Sequence, residues 1–152
     1  MTELRDYSSA NFEQLWALDQ KCFPPGIAYS REELAFYLES PAAICLIAWS
    51  KGKILGFALG NRDRRGFGHI ITLDVDPVRQ RSGCGSTLIE ALETRFVNTG
   101  CDSILLEVAV NNRAALGFYK KHGYAVVKTL QRYYPGGLDG LLMGKRILNN
   151  DI

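Results

Sequence analysis

Val75-Asp76-Pro77-Val78-Arg79-Gln80-Arg81-Ser82-Gly83-Cys84-Gly85-Ser86-Thr87-Leu88 is the stretch on which the fold turns. An apolar, β-favouring run from His69 to Val75 leads into it. Behind it Leu88, Leu92 and Phe96 recur every fourth residue, which predicts a helix ending near Gly100. Two glycines one residue apart at this junction allow positive φ and a close approach of backbone to ligand. The free N–H groups of a new helix, with its dipole, then make an anion site. Arg79 and Arg81 add positive charge to the same mouth. A Walker loop would need G-x-x-x-x-G-K-[ST], and no lysine follows Gly85; a dinucleotide fingerprint would need a third glycine where Leu88 stands. Two readings remain: a pyrophosphate cradle of another kind, or a tight strand-to-helix turn.

The flanking sequence alternates elements throughout. Glu3 to Tyr7 reads as a short strand, and Phe12, Leu15, Trp16 and Leu18 mark a helix stopped by Phe23-Pro24-Pro25-Gly26. Ser30-Arg31-Glu32-Glu33 is a capping box that opens a second helix. Ala43 to Trp49 and Ile54 to Leu59 form a hairpin around Ser50-Lys51-Gly52-Lys53, and Asn61 to Gly68 is a polar connection. Ser103 to Val108 is a strand, and Arg113 to His122 a helix closed by Gly123. Ala125 to Leu130 and Leu141 to Ile147 are two last strands around a Tyr-Tyr-Pro-Gly-Gly loop. With no repeat or linker, residues 1–152 read as one α+β domain with a mixed sheet.

Composition narrows the class. Of 152 residues 47% are apolar and 22% charged, enough for a core and too few charges for a disordered chain. A formal charge of +2 is too near neutral for nucleic-acid binding by bulk charge, so no nucleic-acid partner is expected. No apolar run approaches the ~18 to 20 residues of a membrane span, and MTELRDYSSANFEQ lacks the pattern of a secretory signal. Cys22, Cys45, Cys84 and Cys101 include no C-x-x-C pair, which gives neither a zinc spacing nor a disulfide framework. The expectation is a soluble, cytoplasmic protein without a membrane partner or a metal, as monomer or homodimer.

V-D-P-x-x-Q-R-x-G-x-G-x-x-L resembles motif A of the GNAT superfamily of acetyl-CoA-dependent N-acetyltransferases. Leu106-Glu107-Val108-Ala109-Val110-Asn111-Asn112-Arg113-Ala114-Ala115 and Phe118-Tyr119-Lys120-Lys121-His122-Gly123-Tyr124 are similar to two further signatures of that family, L-E-V-x-x-x-N-x-x-A and Y-x-x-x-G-F/Y. Arg132-Tyr133-Tyr134-Pro135 is similar to the Y-Y-P loop of ribosomal-protein-alanine N-acetyltransferases and related protein N-terminal acetyltransferases. The resemblance implies a GNAT-like acyl-CoA N-acyltransferase fold, a mostly antiparallel mixed sheet of about seven strands flanked by about four helices. It implies acetyl-CoA as co-substrate. The backbone of Leu73, Asp74 and Val75 would pair with pantetheine, and the N–H groups of Arg81, Ser82, Gly83, Cys84, Gly85 and Ser86 would hold the pyrophosphate. The Val75 amide would polarise the thioester. Glu107 would be the base and Tyr119 the acid that protonates the departing thiolate, while Asn112 would bond the cofactor arm.

Each residue also has a plainer reading. Glu107 is a charge in an apolar strand and suits a solvated sheet edge equally; Tyr119 suits an amphipathic helix beside Phe118; Asn112 suits an N-cap for the helix at Arg113. Cys84 lacks a base nearby in sequence and reads as a space-filler, which favours direct transfer over an acyl-cysteine route. His69 and His122 read as structural or exposed. Arg62-Asp63-Arg64-Arg65 reads as a solvated loop, with a touch on acidic substrate or the cofactor's 3′-phosphate as the alternative. Asp74 departs from the family's small or apolar residue; it would bind the acceptor ammonium, share the base role or point to water. Tyr133 and Tyr134, with Phe23 and Tyr29 opposite, are candidates to wall an acceptor peptide.

An α-amine has a pKa of about 7.7 to 8.0 against about 10.4 for lysine, so its neutral fraction at pH 7 is several hundredfold larger. A single glutamate is then base enough. The expected acceptor is the N-terminal amine of a protein or peptide. The alternatives are a small amine such as a polyamine, amino acid or aminoglycoside, and a non-catalytic acyl-CoA sensor that makes no use of Glu107 and Tyr119.

Overall fold

Apolar alternation and short turns build the sheet before the helices cover it. The computed structural model describes residues 2–80 and 82–147. Along the chain lie β1 (Glu3–Asp6), α1 (Phe12–Cys22), α2 (Arg31–Glu39), β2 (Ala43–Ser50), β3 (Lys53–Arg62), β4 (Phe67–Val75), α3 (Cys84–Asn98), β5 (Ser103–Ala109), α4 (Arg113–Lys121), β6 (Ala125–Leu130) and β7 (Gly140–Arg146). The strands form one seven-stranded sheet in the order β1-β2-β3-β4-β5-β7-β6, with β4 and β5 parallel and every other neighbouring pair antiparallel. The expected α+β class and the expected mixed sheet are both present.

Several boundaries move by a residue or two. Pairing of Arg62 with Gly68 carries β3 and β4 into the expected polar connection, leaving a short turn with Gly66 at φ +91°. Ser30 accepts from the Glu33 N–H at 3.1 Å and Glu33 accepts from the Ser30 N–H at 2.9 Å, so the capping box forms as read and α2 starts at Arg31.

Two apolar layers sandwich the sheet. On one face α3 sends Leu88, Ile89, Leu92 and Phe96, all without exposure, against Leu46, Ala58, Ile70, Ile104 and Leu106. On the other face Leu15 and Leu18 of α1 and Leu34 and Leu38 of α2 pack on Ile47, Phe57 and Leu59. Each such side chain contributes roughly 1.5–3 kcal/mol by leaving water.

The irregularity that matters lies in β4. Leu59 pairs with Thr72 and Gly60 with Ile70, so Ile71 is an extra residue without a cross-strand partner. Such a bulge bends its strand and shifts its alternation. Before it Ile70 faces the α3 layer; after it Leu73 and Val75 pack there, while Ile71 joins the α1–α2 layer. The parallel pairing with β5 runs from Phe67–Ser103 to Ile70–Leu106 and stops at the bulge. Beyond it β4 leans on β3 alone, as Gly56–Val75 pairing shows, while β5 continues against β7 to Ala109–Gly140. A gap therefore opens in the middle of the sheet.

Phe96 fixes α3 over this region because Gly60 and Gly68 leave room for its ring. A Cβ would lie 2.4 Å from the ring at Gly60 and 2.6 Å at Gly68. Gly68→Ala is expected to lower stability by about 1–3 kcal/mol. Gly117→Ala in α4, where a Cβ meets nothing within 4 Å, should gain up to about 1 kcal/mol. Thermal unfolding of the two variants beside the parent checks both signs.

Candidate active site

The gap between β4 and β5 gathers chemistry from both faces. Residues on a strand's unpaired edge keep free backbone groups, and the edge repeats every second residue. The Ile71 carbonyl accepts from the Tyr29 hydroxyl at 3.2 Å and the Val75 carbonyl from the Cys22 thiol at 3.3 Å, which marks Val75 as turned away from β3. Leu73 shares that edge. Asp74 has the opposite orientation, with its carbonyl against Gly56.

At the end of β4 the turn starts α3 with Gly83 in the left-handed region, φ +87°, as its N-cap. No side chain caps this helix, and the N–H groups of Gly83, Cys84, Gly85 and Ser86 have no acceptor among the described residues. A fifteen-residue helix thus presents its bare positive end at the gap. Gly85 has a second reason to lack a side chain: a Cβ would press the Phe118 ring of α4 at 3.2 Å. Ser82 is exposed, Cys84 is buried at 3% exposure and fills space as expected, and Arg81 lies outside the described residues. His122, read as structural or exposed, has a structural part: it approaches the Ser86 hydroxyl at 3.0 Å and packs on Phe118, joining the end of α4 to the start of α3.

On β5, Ile104, Leu106 and Val108 face the α3 layer, so Glu107 faces the α1–α2 side. It is half-buried rather than at a solvated edge. His69 is its partner: Nε2 lies 2.7 Å from Glu107 Oε1. A carboxylate offers only acceptors, so Nε2 carries the hydrogen. His69, read as structural or exposed, is a partly exposed side chain with this specific partner. Its residue number is remote from Glu107, but parallel pairing puts His69 opposite Leu105, within a side chain's reach of Glu107. Only strand register could have revealed this contact.

The Glu107 carboxylate also acts at a distance on three aromatic hydroxyls. Its charge acts on Tyr29, Tyr133 and Tyr134, and together with burial holds all three phenols above their ordinary pKa. Tyr133 and Tyr134 meet edge to face at 4.9 Å on the β6–β7 loop. Pro135 of that loop meets Gly26 of the α1–α2 loop, so the two candidate walls touch at one end. Phe23 ends α1 at the base of the second wall.

Tyr119 of α4 lies on the opposite face, buried, and burial is the first cause that keeps its phenol protonated well above neutral pH. Its ring meets Phe118 edge to face at 5.3 Å, and Phe118 in turn lies against Gly85 at the start of α3. Asn112 caps α4 by accepting from the Ala115 N–H at 3.1 Å. The Arg62–Arg65 loop lies at the closed end of β4, with Arg65 on Asp63 and Phe67, away from the gap. Asp74 does not point to water; it has no exposure and lies beside Asp19 and Thr72.

The chain with this bare helix end, split sheet and carboxylate belongs to the GNAT family of acetyltransferases, which matches residues 12–124. It is an acetyl-CoA-dependent acyltransferase. It is 36% identical over 127 residues to an uncharacterized N-acetyltransferase of Methanocaldococcus jannaschii, covering 76% of this chain and 81% of that one. It is 27% identical over 135 residues to N-alpha-acetyltransferase 30 of Dictyostelium discoideum, covering 87% and 72%. The fold is similar to that of the ribosomal-protein-S18-alanine N-acetyltransferase of Escherichia coli, at a TM-score of 0.88 and 21% identity, covering 100% of this chain and 99% of that one. Among the described residues no helix is long and apolar enough to cross a membrane.

The Asn112 cap gives a direct expectation. Asn112→Ala should cost about 1 kcal/mol of stability, read as a lower thermal midpoint. Asn112→Asp should recover most of it, because aspartate accepts the same N–H.

Proposed function

We propose that the chain acetylates the N-terminal α-amine of a protein or peptide. The observation that carries this reading is the half-buried Glu107 carboxylate at the split between β4 and β5, held on one oxygen by His69. Acetyl-CoA supplies the activated acyl group and a thiol leaving group.

The N–H groups of residues 83–86 fit its pyrophosphate, since they are free and lie at a helix N-terminus. The free edge of Leu73 and Val75 fits the amide-rich arm, with the Val75 N–H as the donor for a carbonyl oxygen gaining charge. Asn112, which caps α4, would also bond this arm, as the family resemblance implies. The open oxygen of Glu107, Oε2, takes the proton of the incoming amine, directly or through one water, and His69 fixes the carboxylate's orientation. Tyr119, kept protonated by burial, gives its proton to the departing thiolate.

The acceptor reading has two supports. Tyr133 is 49% exposed, so its wall opens to solvent as an extended peptide needs. Relatives such as the Dictyostelium protein carry the name N-alpha-acetyltransferase. The four free cysteines suit a reducing compartment, and we assign the protein to the cytoplasm.

Thiol release from acetyl-CoA with two peptides tests the proposal. One has a free N-terminal alanine and no lysine; the other is N-terminally blocked and has one lysine. Turnover is expected with the first alone, and Glu107→Gln should lower kcat by about 10²–10⁴ while acetyl-CoA still binds. Tyr119→Phe should slow turnover toward the low end of that range. Turnover of the lysine peptide alone, or of small amines alone, would contradict the assignment.

A further inference from the structure

α1 turns three polar groups of one helical face toward the loop that precedes α2. Trp16 Nε1 and Gln20 Nε2 donate to the Tyr29 carbonyl at 3.1 and 2.7 Å, and Asp19 Oδ2 accepts from the Tyr29 N–H at 2.8 Å. With its hydroxyl on the Ile71 carbonyl, Tyr29 is held at every polar atom it owns. Asp19 and Asp74 both have no exposure. Thr72 donates to Asp74 Oδ1, which leaves Asp74 Oδ2 and Asp19 Oδ1 without partners. Two buried carboxyls with one bare oxygen each cannot both be charged at such cost; a hydrogen between them satisfies both.

We propose that Asp19 and Asp74 share one proton, and that this pair is the positioning clasp that fixes Tyr29, and with it the acceptor wall, against β4. The titratable groups that interact with Asp74 agree. They are Asp19 and Cys22 on α1, Cys45 on β2 and Tyr119 on α4, and none of these is a cation. Burial first, and then Asp19, push the Asp74 carboxyl well above the usual carboxylate range, and Cys22 beside it is pushed up to about 12. The clasp lies on the acceptor side only if the α-amine reading holds, whereas the shared proton stands without it.

The sign of the pH dependence follows. A carboxyl whose folded pKa is raised binds more proton folded than unfolded. Its contribution is fully present below the unfolded pKa, about 3.9, and is lost as pH rises through the folded value. In Asp74→Asn an amide N–H replaces the shared proton and cannot titrate. The thermal midpoint of Asp74→Asn minus that of the parent should therefore widen from pH 5 to pH 8; parallel curves would overturn the shared proton.

The positioning role has its own readouts. Asp19→Ala should raise the KM of the α-amine peptide about tenfold or more, with the KM of acetyl-CoA nearly unchanged. Asp19→Asn, which accepts the Tyr29 N–H and donates to Asp74, should restore it. Equal changes in both KM values, or none, would overturn the clasp. In a Trp49→Phe background Trp16 is the one remaining tryptophan of the two in the chain. Its emission should move in Asp19→Ala and not in Asp19→Asn; an unmoved emission in Asp19→Ala would likewise overturn it. If the parent turns over neither peptide, the α-amine reading fails, and the widening midpoints and Trp16 emission still decide the clasp.

Discussion

The extra residue Ile71 in β4 is the constraint on which the site depends. Up to Ile70 the strand is locked to β5 by parallel pairing; after the bulge it follows β3 instead, and the sheet parts. Parting leaves backbone donors and acceptors unpaired, which a buried sheet would not tolerate without partners. Cys22 and Tyr29 take two of the freed carbonyls, and the remaining edge at Leu73 and Val75 is available to an amide-bearing arm. A fault in the ladder thus leaves an open backbone edge, the one proposed to bind the cofactor arm.

In the proposed reaction the same gap lets one sheet serve two reactants. The bare N-terminus of α3 and the buried Tyr119 lie on the α3–α4 face. Glu107, His69 and Tyr29 belong to the α1–α2 face. An intact sheet would separate the groups that give up the acyl chain from those that receive it. The opening lets them meet while each keeps its own supporting layer. The face that carries Glu107 also buries Asp19 and Asp74, and the proposed single proton between these two leaves that buried pair one negative charge instead of two.

Much of this was legible in the residues, and the limits have physical causes. The strand–glycine–helix junction, the Ser30 capping box and the fourfold spacing of Leu88, Leu92 and Phe96 are local patterns, and they formed as read. Glu107, Tyr119 and the tyrosine pair stood out through motif resemblance, and the fold draws them to one opening. His69 did not, because its bond to Glu107 is made by strand register across 38 positions of sequence. Asp74 stood out as a departure, but its partner Asp19 sits in an amphipathic helix where an aspartate ordinarily meets water. Gly85 was read as room for a ligand, and the Phe118 ring gives it a packing duty too.

A crystal structure with a conjugate of coenzyme A and a short alanine-led peptide tests the central claim most directly. The account predicts the pyrophosphate on the N–H groups of residues 83–86, the arm along Leu73 and Val75, and the peptide's first nitrogen beside Glu107 between Tyr29 and Tyr133. A conjugate lying elsewhere, or a peptide half that leaves the gap without passing those tyrosines, would contradict it.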